Sequence, residues 1–240
     1  MKAMILAAGL GTRLKPLTDH KPKALVEVDG VPMLERVILT LKRQGFSYIV
    51  VNVHHFADQI KDYLASKDFG VDISISDESD VLLDTGGGIV KAAPLLFKYD
   101  EQPVLVHNVD ILSNAGLGEL MELNDNLTKL LVSERDSSRK LIFDENLNLK
   151  GWHDLKTDRY RPDNFINSPD FKEYAFSGIY LISKKSVDEM KLLLGEGKYS
   201  VMDYFLHPDR NEKIEGVFDS DLRLIDIGKP ATLSQASGFI

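Results

Sequence analysis

Cysteine is absent from this 240-residue chain. Its absence excludes disulfide bonds, thiolate nucleophiles, iron–sulfur clusters and cysteine-rich zinc sites, and it fits a reducing compartment. Long apolar runs are absent as well. Six apolar residues, Ala3 to Ala8, precede Gly9, which is fewer than a signal peptide needs, and no run reaches the roughly 18 residues of a membrane span. The sequence therefore predicts a cytoplasmic protein with no membrane partner.

Positive charge is in deficit, with 29 Lys and Arg residues against 37 Asp and Glu residues and a net charge of −8 at pH 7. A general nucleic-acid-binding protein is usually basic, so this balance argues against nucleic acid as a partner. A small anionic substrate stays possible, because basic residues can gather locally. The apolar share of 43% and the charged share of 28% are those of an ordinary globular protein.

Strands and helices alternate through the first 110 residues. Short apolar runs indicate buried strands, and apolar residues spaced three and four apart indicate helices. This order predicts right-handed β–α–β crossovers, and therefore an α/β fold, a three-layer Rossmann-like sandwich with a mostly parallel mixed sheet. The predicted strands are Lys2–Ala8, Tyr48–Val53, Val71–Ile75 and Pro103–Val106, and the predicted helices are Pro32–Gln44, Ala57–Leu64 and Gly88–Leu96.

The pattern changes in the second half. We predict a single domain over residues 1–240, with a first part of about 1–134, a second part of about 135–240, and a partly antiparallel insertion from about 135 to 175. The elements expected there are a hairpin of Lys140–Asp144 and Leu147–Trp152, an irregular loop over Arg159–Phe171, a strand at Tyr174–Ile182, a helix at Ser186–Leu194, a strand at Leu222–Ile227 and a closing helix from Pro230.

A glycine-containing loop follows the first strand, within the segment Leu6–Leu25. Gly9 and Gly11 allow backbone N–H groups to approach an anion closely. The pattern predicts a polyphosphate-binding loop, with a tight turn beside a solvated basic loop as the alternative. A dinucleotide fingerprint is not formed, because Leu14 stands where its third glycine belongs, and the P-loop pattern is missing too. The cations of the segment are Arg13, Lys15, Lys21 and Lys23.

Two aspartates, Asp110 and Asp226, follow or end apolar runs that read as strands. In open α/β sheets, ligands bind beyond the carboxyl ends of the strands. A carboxylate at that place would repel phosphates unless a cation intervened, and Mg²⁺ is held by one or two carboxylates plus substrate phosphates. Parallel strands could bring both aspartates to one sheet edge. A solvated aspartate that opens a turn is the alternative for each.

Three consecutive glycines, Gly86 to Gly88, follow Thr85. Such a run is costly to order and indicates close approach of the backbone to another group. A nucleobase or ribose edge suits that role, and a flexible loop is the alternative. His54, His55 and His107 lack the spacing of a zinc motif, so we predict that they are structural histidines.

The segment from Gly9 to Met33 resembles the signature of the sugar-1-phosphate nucleotidyltransferases, with G-L-G-T-R-L-K-P-L-T, P-K-A-L and V-E-V-D-G-V-P-M. The resemblance extends to Asp84–Gly88, to the strand before Asp110, to Phe176–Tyr180 and to Ile225–Gly228. It implies the nucleotide-diphospho-sugar transferase fold. It also implies a reaction in which a nucleoside triphosphate and a sugar 1-phosphate give a nucleotide sugar and pyrophosphate, with the nucleotide on the first part of the chain and the sugar on the second.

The resemblance also assigns roles to residues, and it implies Mg²⁺ as the cofactor. The implied catalytic residues are Arg13, Lys23 and Asp110, and the implied metal ligands are Asp110 and Asp226. The implied nucleotide-binding residues are Ala7, Ala8, Gly9, Gly11, Thr12, Arg13, Lys23, Thr85, Gly87, Gly88 and Asn108, and the implied sugar-binding residues are Asp110, Ser177, Gly178 and Asp226.

Within the family, the short chain and Asp84–Gly88 favour UTP and N-acetylmuramate 1-phosphate as substrates. GTP with mannose 1-phosphate or heptose 1-phosphate is the alternative, and a non-catalytic regulatory subunit is the alternative from another class. We expect a monomer or a small homo-oligomer, without the added acyltransferase domain of some bifunctional relatives.

The sequence departs from the family pattern at two places. Val109 stands where the family usually has glycine before the first metal-binding aspartate. The Glu-Lys-Pro motif, whose lysine meets the sugar phosphate in longer members, is missing between Val132 and Tyr174, and Arg139 and Lys140 are the nearest candidates to replace it. Trp152, Phe165 and Tyr174 fall in the sugar-contacting region of the family, where ordinary packing is equally consistent with them.

Overall fold

A computed structural model of the protein describes residues 1–123, 125–228 and 230–239. The strands are β1 (Lys2–Leu6), β2 (Glu27–Val28), β3 (Val31–Pro32), β4 (Tyr48–Val53), β5 (Asp72–Asp77), β6 (Val104–Asn108), β7 (Ile111–Ser113), β8 (Thr128–Ser133), β9 (Arg139–Phe143), β10 (Leu149–Asp154), β11 (Arg159–Arg161), β12 (Lys172–Ile182), β13 (Ile214–Phe218) and β14 (Leu224–Asp226). The helices are α1 (Met33–Arg43), α2 (Ala57–Ala65), α3 (Asp84–Leu96), α4 (Leu117–Glu122), α5 (Lys184–Leu194), α6 (Val201–Phe205) and α7 (Pro230–Gln235).

The main sheet has the order β11-β10-β9-β12-β6-β1-β4-β5, and β8 pairs with both β12 and β13. Strands β6, β1, β4 and β5 are mutually parallel, which confirms the predicted α/β fold with a mostly parallel mixed sheet. Strand β12 is antiparallel to β6 and to β8. Strand β8 therefore runs in the same direction as β6 and β1, and its carboxyl end lies at the same sheet edge.

Apolar side chains pack on both faces of this sheet, which gives the three layers. Successive residues of a strand point to opposite faces. Ala3 and Ile5 accordingly join a cluster covered by α1, α2 and α4, whereas Met4 joins a second cluster covered by α3, α5 and α6. Helix α1 buries Leu34, Val37, Ile38 and Leu41 toward the first cluster, which confirms the predicted helical stripe.

The structure corrects several predicted bounds. Helix α3 begins at Asp84 rather than Gly88, so the glycine run lies inside the helix and not in a loop before it. Part of the predicted irregular loop forms β11, and β8 and β13 were not predicted. The antiparallel hairpin of β9 and β10 is confirmed. Among the described residues, no helix combines the length and apolar character needed to cross a bilayer.

Candidate active site

A cavity of about 410 Å³ opens at the carboxyl ends of β1, β4 and β6. This is the edge where ligands bind in open α/β sheets. Ten of the predicted site residues line it: Ala7, Ala8, Gly9, Gly11, Thr12, Arg13, Lys23, Thr85, Asn108 and Asp110. Its other lining residues were not predicted as part of a site: Leu6, Leu10, Asn52, Leu82, Asp84, Val109, Lys198 and Gly228.

The loop after β1 is shaped by Gly11, which has a φ of +64°. A Cβ atom at this position would lie 3.0 Å from Cβ of Lys23 and 3.0 Å from Cγ2 of Thr18. The Thr18 hydroxyl also donates a hydrogen bond of 2.9 Å to the Gly11 carbonyl. Glycine is therefore needed here both for the left-handed backbone and for the close packing that holds Lys23 beside the loop.

A buried polar relay fixes the start of the same loop. The Ala7 backbone N–H donates to Asn52 Oδ1 over 2.7 Å, and Asn52 Nδ2 donates to Glu78 Oε1 over 2.8 Å. Glu78 is fully buried and also accepts from the Leu83 backbone N–H at 3.3 Å. Burial raises the pKa of the Glu78 carboxyl, while the Asn52 and Leu83 hydrogen bonds lower it. The relay connects the loop after β1 to the start of α3.

The second anchor of α3 comes from the segment between α5 and α6. The Tyr199 carbonyl accepts a hydrogen bond from the Gly86 N–H at 3.0 Å, and the Val201 N–H donates to Thr85 Oγ1 at 2.8 Å. These bonds place Lys198 at the wall of the cavity. Lys198 is thus a third cation of the site, besides Arg13 and Lys23. No motif marked it, because its position depends on a contact between distant segments.

Asp110 and Asp226 do come together, but through an element that the sequence did not indicate. Strands β7 and β14 pair antiparallel in a small separate sheet, with Asp226 opposite Ile111, and the Ile227 N–H donates to the Asp110 carbonyl over 2.8 Å. The expectation that parallel strands of the main sheet bring the aspartates together is therefore wrong, although their proximity is confirmed. Lys23 Nζ forms a hydrogen-bonded ion pair with the Asp110 carboxylate.

Asp226 lies at the margin of the cavity with its charge incompletely balanced. A Cβ atom on Gly228 would lie 2.7 Å from Asp226 Oδ1 and 2.9 Å from Arg13 Nη2, so these two groups converge over a residue without a side chain. Desolvation by the surrounding protein raises the pKa of the Asp226 carboxyl, and the negative charge of Asp110 raises it further, whereas Lys23 and Arg13 lower it.

Asp110 raises the pKa of the neighbouring Asp226 carboxyl, and two carboxylates placed this close together form a donor set that suits a divalent cation. No group of three or more His, Cys, Asp and Glu side chains in residues 1–123, 125–228 and 230–239 is arranged to hold a metal. Asp110 and Asp226 therefore fit Mg²⁺ only with phosphate oxygens completing the coordination.

Gly87 and Gly88, which were predicted to lie against a base, pack closely on protein groups in this structure. A Cβ atom on Gly87 would collide with the Gly197 carbonyl, and one on Gly88 would lie 2.7 Å from Glu78 Oε1. Neither residue lines the cavity. The run of glycines is required by close packing of α3 against protein groups, so the observed approach is to the protein itself.

Ser177 and Gly178, which were predicted to bind sugar, lie behind the cavity wall. Ser177 is buried, and its hydroxyl accepts a hydrogen bond of 3.1 Å from the Ile179 N–H. Gly178 has a φ of +77°, and a Cβ atom there would lie 2.7 Å from Asn108 Nδ2. In this structure Gly178 packs against Asn108, which itself lines the cavity.

Neither candidate for the missing sugar-phosphate lysine lines the cavity. Arg139 Nε lies 3.6 Å from Asp154, and Lys140 Nζ donates to the Arg135 carbonyl over 2.7 Å. The three aromatic side chains also stay outside the cavity lining. Trp152 lies beside Arg139, Arg159 and Arg161 in a surface groove, Phe165 packs on Tyr160 and Gly151, and Tyr174 packs on Phe143 and Phe218.

The three histidines that were predicted to be structural, His54, His55 and His107, each contact protein groups. His54 Nδ1 bonds the Glu78 carbonyl at 2.6 Å, and His55 stacks on Phe56. His107 bonds the Asn108 carbonyl at 2.8 Å, and full burial lowers its pKa to about 4. Val109 is buried with the apolar cluster beneath the sheet, and its N–H donates to the Leu6 carbonyl. The cavity forms with valine at this position.

Comparison with known proteins shows what this site resembles. Residues 2–139 match the family model described as nucleotidyl transferase. The N-acetylmuramate alpha-1-phosphate uridylyltransferase of Caulobacter vibrioides is 46% identical over 111 residues, which cover 45% of this chain and 45% of that protein. The match therefore spans less than half the length of this relative.

Two other proteins are similar over nearly the whole chain. The D-glycero-alpha-D-manno-heptose 1-phosphate guanylyltransferase of Aneurinibacillus thermoaerophilus is 29% identical over 245 residues, covering 96% of this chain and 94% of that protein. A crystal structure of HddC from Yersinia pseudotuberculosis complexed with GMP-PN superposes with a TM-score of 0.75 at 25% identity, covering 98% of this chain and 97% of that chain.

Proposed function

Because the chain belongs to the nucleotidyl transferase family, we propose that it joins a nucleoside triphosphate to a sugar 1-phosphate and releases pyrophosphate. One observation carries the proposal. A glycine loop with Arg13 and Lys23 meets Asp110 in one cavity, and Asp226 lies at its margin. A module that only senses nucleotide sugars would have no need of the two carboxylates beside the phosphate-binding loop.

In the proposed reaction, an oxygen of the sugar 1-phosphate attacks the α-phosphorus of the nucleotide. That P–O bond forms as the bond from the α-phosphorus to the oxygen bridging the β-phosphorus breaks, and pyrophosphate leaves with the electron pair. The attacking phosphate is already ionised, so no protein base has to remove a proton. The task left to the protein is positioning and charge stabilisation.

We assign the triphosphate to the N–H groups of the loop from Ala7 to Arg13 and to the side chains of Arg13 and Lys23. The nucleoside would then lie toward β4 and α3, where Asn52 and Thr85 line the cavity. Asp110 and Asp226 would hold Mg²⁺, which when bound neutralises phosphate charge and orients phosphate oxygens. Asn108, supported by Gly178, would face the reacting phosphates.

For the substrates, we propose UTP and N-acetylmuramate 1-phosphate. The support is the 46% identity to the uridylyltransferase, against 29% to the guanylyltransferase. Transfer from GTP to a mannose or heptose 1-phosphate is the second candidate. It is favoured by similarity over 96% of this chain and by the nucleotide analogue in the HddC complex.

A pyrophosphate-release assay separates these candidates. UTP and GTP are each combined with N-acetylmuramate 1-phosphate and mannose 1-phosphate, and kcat/KM is compared. We expect the highest value with UTP and N-acetylmuramate 1-phosphate. Faster formation of GDP-mannose would reverse the substrate assignment, and no pyrophosphate with any pair would favour a non-catalytic role.

Variants of the loop cations serve as the control for this assay. Arg13→Ala and Lys23→Ala are each expected to lower turnover by about 10²-fold or more, because losing one donor to the transition state costs roughly 3–4 kcal/mol. Near-normal turnover in either variant would contradict the assignment of the triphosphate to this loop.

A further inference from the structure

Arg135 lies two residues beyond the end of β8 (Thr128–Ser133). Because β8 runs in the same direction as β6 and β1, Arg135 is at the sheet edge that carries the cavity, with β12 between β8 and β6. The nucleotide cavity occupies the opposite side of β6, over β1 and β4. A second substrate that reaches Asp110 and Asp226 must therefore extend over β12 and β8, toward Arg135.

The guanidinium of Arg135 is only partly used by the protein. Nη2 donates to the Phe176 carbonyl over 2.9 Å, and Nη1 makes a long 3.5 Å contact with the Asp136 carbonyl. Within residues 1–123, 125–228 and 230–239, Nε is buried without a hydrogen-bond partner, and the same is true of the buried Ser133 Oγ. Buried polar atoms are usually paired, so two orphaned groups two residues apart indicate a missing acceptor.

The chemistry of that acceptor follows from the donor. Arginine presents a planar fork of N–H groups that matches the oxygens of a phosphate or a carboxylate. Burial lowers the pKa of the Arg135 guanidinium, and the charges of Asp226 and Asp136 raise it, so the guanidinium lies within electrostatic reach of Asp226. The Glu-Lys-Pro lysine is missing from the sequence. Arg139 pairs with Asp154, and Lys140 donates to the backbone carbonyl of Arg135 itself.

We propose that Arg135, together with the Ser133 hydroxyl two positions before it in the chain, binds the phosphate group of the sugar 1-phosphate. This inference rests on the proposed function and names the contact on the sugar side of the same site. A carboxylate carried by the sugar has the same chemistry, so the experiment has to distinguish these two sources of oxygen.

Arg135→Gln tests the proposal because it should raise KM for only one of the two substrates. We expect KM for the sugar 1-phosphate to rise about tenfold or more, while KM for the nucleoside triphosphate stays within about twofold, and Arg135→Lys should restore part of the loss. Arg139→Gln is the matched control, because Arg139 pairs with Asp154 on the surface, and it should change neither constant. An equal rise in both constants for Arg135→Gln would overturn the proposal in favour of a structural role.

Two sugars identify the group that Arg135 binds. N-acetylmuramate 1-phosphate carries a carboxylate, and N-acetylglucosamine 1-phosphate does not. Loss of affinity for both supports the phosphate contact, and loss confined to N-acetylmuramate 1-phosphate overturns it. Titration calorimetry of each sugar phosphate against the native protein and Arg135→Gln gives the affinities without turnover. Unchanged affinity in the variant contradicts the Arg135 proposal alone, whereas absent turnover of the native protein contradicts the proposed function.

Discussion

Asp110 and Asp226 are neighbours with unequal environments. Asp110 is paired with Lys23, whereas the charge of Asp226 is opposed by desolvation and by Asp110 itself. Side chains that are positioned to bind a ligand often lower the stability of the folded protein when the ligand is absent. The two residues should therefore respond in opposite ways to the same substitution.

Asp226→Asn is expected to raise the melting temperature of the ligand-free protein at neutral pH by about 1–4 °C, since a partly exposed charge contributes up to about 1 kcal/mol. The pKa of Asp226 is raised above its ordinary 3.8, so the folded chain binds this proton more tightly than the unfolded chain. As pH rises from that value through the raised pKa, the native protein loses stability that the variant keeps. Thermal melts between pH 4 and pH 8 measure the difference.

Asp110→Asn is the comparison for that experiment. It removes the partner of Lys23, whose side chain is only 14% exposed, so we expect a lower melting temperature or no gain. Stabilisation by both substitutions to the same degree would show that the environments of the two carboxylates do not differ as described.

At the scale of elements, the glycines of the loop after β1 and of helix α3 differ in what surrounds them. Gly9 lines the cavity, and a Cβ atom there would have nothing within 4 Å. Gly87 is packed so closely on the Gly197 carbonyl that a Cβ atom would collide with backbone. The first glycine is therefore free of structural constraint in the fold, and the second is not.

Gly9→Ala is expected to leave the melting temperature within about 2 °C of the native value while KM for the nucleotide rises, because the added methyl group enters the space that we assign to phosphates. Gly87→Ala should lower the free energy of unfolding by roughly 1–3 kcal/mol, as overpacking of a rigid site does. Urea unfolding and steady-state kinetics on both variants test this. A stable Gly87→Ala protein with weakened nucleotide binding would instead restore the predicted contact with the base.

Local sequence patterns were sufficient to predict the elements whose apolar residues form a continuous run or recur at helical spacing. Strand β4 (Tyr48–Val53) has the predicted bounds, and α1 differs by one residue at each end. Strand β8 was missed because Thr128 and Lys129 at one end and Ser133 at the other reduce its apolar run to Leu130–Val132, and the burial of Lys129 between Asp125 and Glu215 depends on residues outside the strand. The start of α3 was missed because bonds from Tyr199 and Val201 override the low helix propensity of glycine.

At the scale of the whole molecule, the site combines contiguous and distant segments. The glycine loop with Arg13 and Lys23 is one stretch of sequence, so its composition alone predicted it. Asn52 and Lys198 reach the cavity from separate elements, and nothing in their own neighbourhoods distinguishes them. The pairing of β7 with β14 similarly depends on the folded chain as a whole.

If these distant segments form one binding site, a ligand bound there should stabilise the folded protein, and loss of either aspartate should weaken that stabilisation. We expect a nucleoside triphosphate with Mg²⁺ to raise the melting temperature of the native protein more than that of Asp110→Asn or Asp226→Asn. Each variant should be nearly inactive, and the double variant little worse than either, because residues that act as a unit are not additive. A shared metal site would be contradicted if the activity loss of the double variant equalled the product of the two single losses. It would also be contradicted if the native protein stayed active in EDTA.

The pairing of β14 with β7 also sets when the protein can first act during its synthesis. Asp226 lies 116 positions after Asp110 in the chain, which a ribosome adding about 5–20 residues per second covers in roughly 6–23 s. During that interval the second of the two carboxylates that we assign to the metal has not been made. On the proposed function, the growing chain therefore cannot turn over its substrates until residue 226 has emerged.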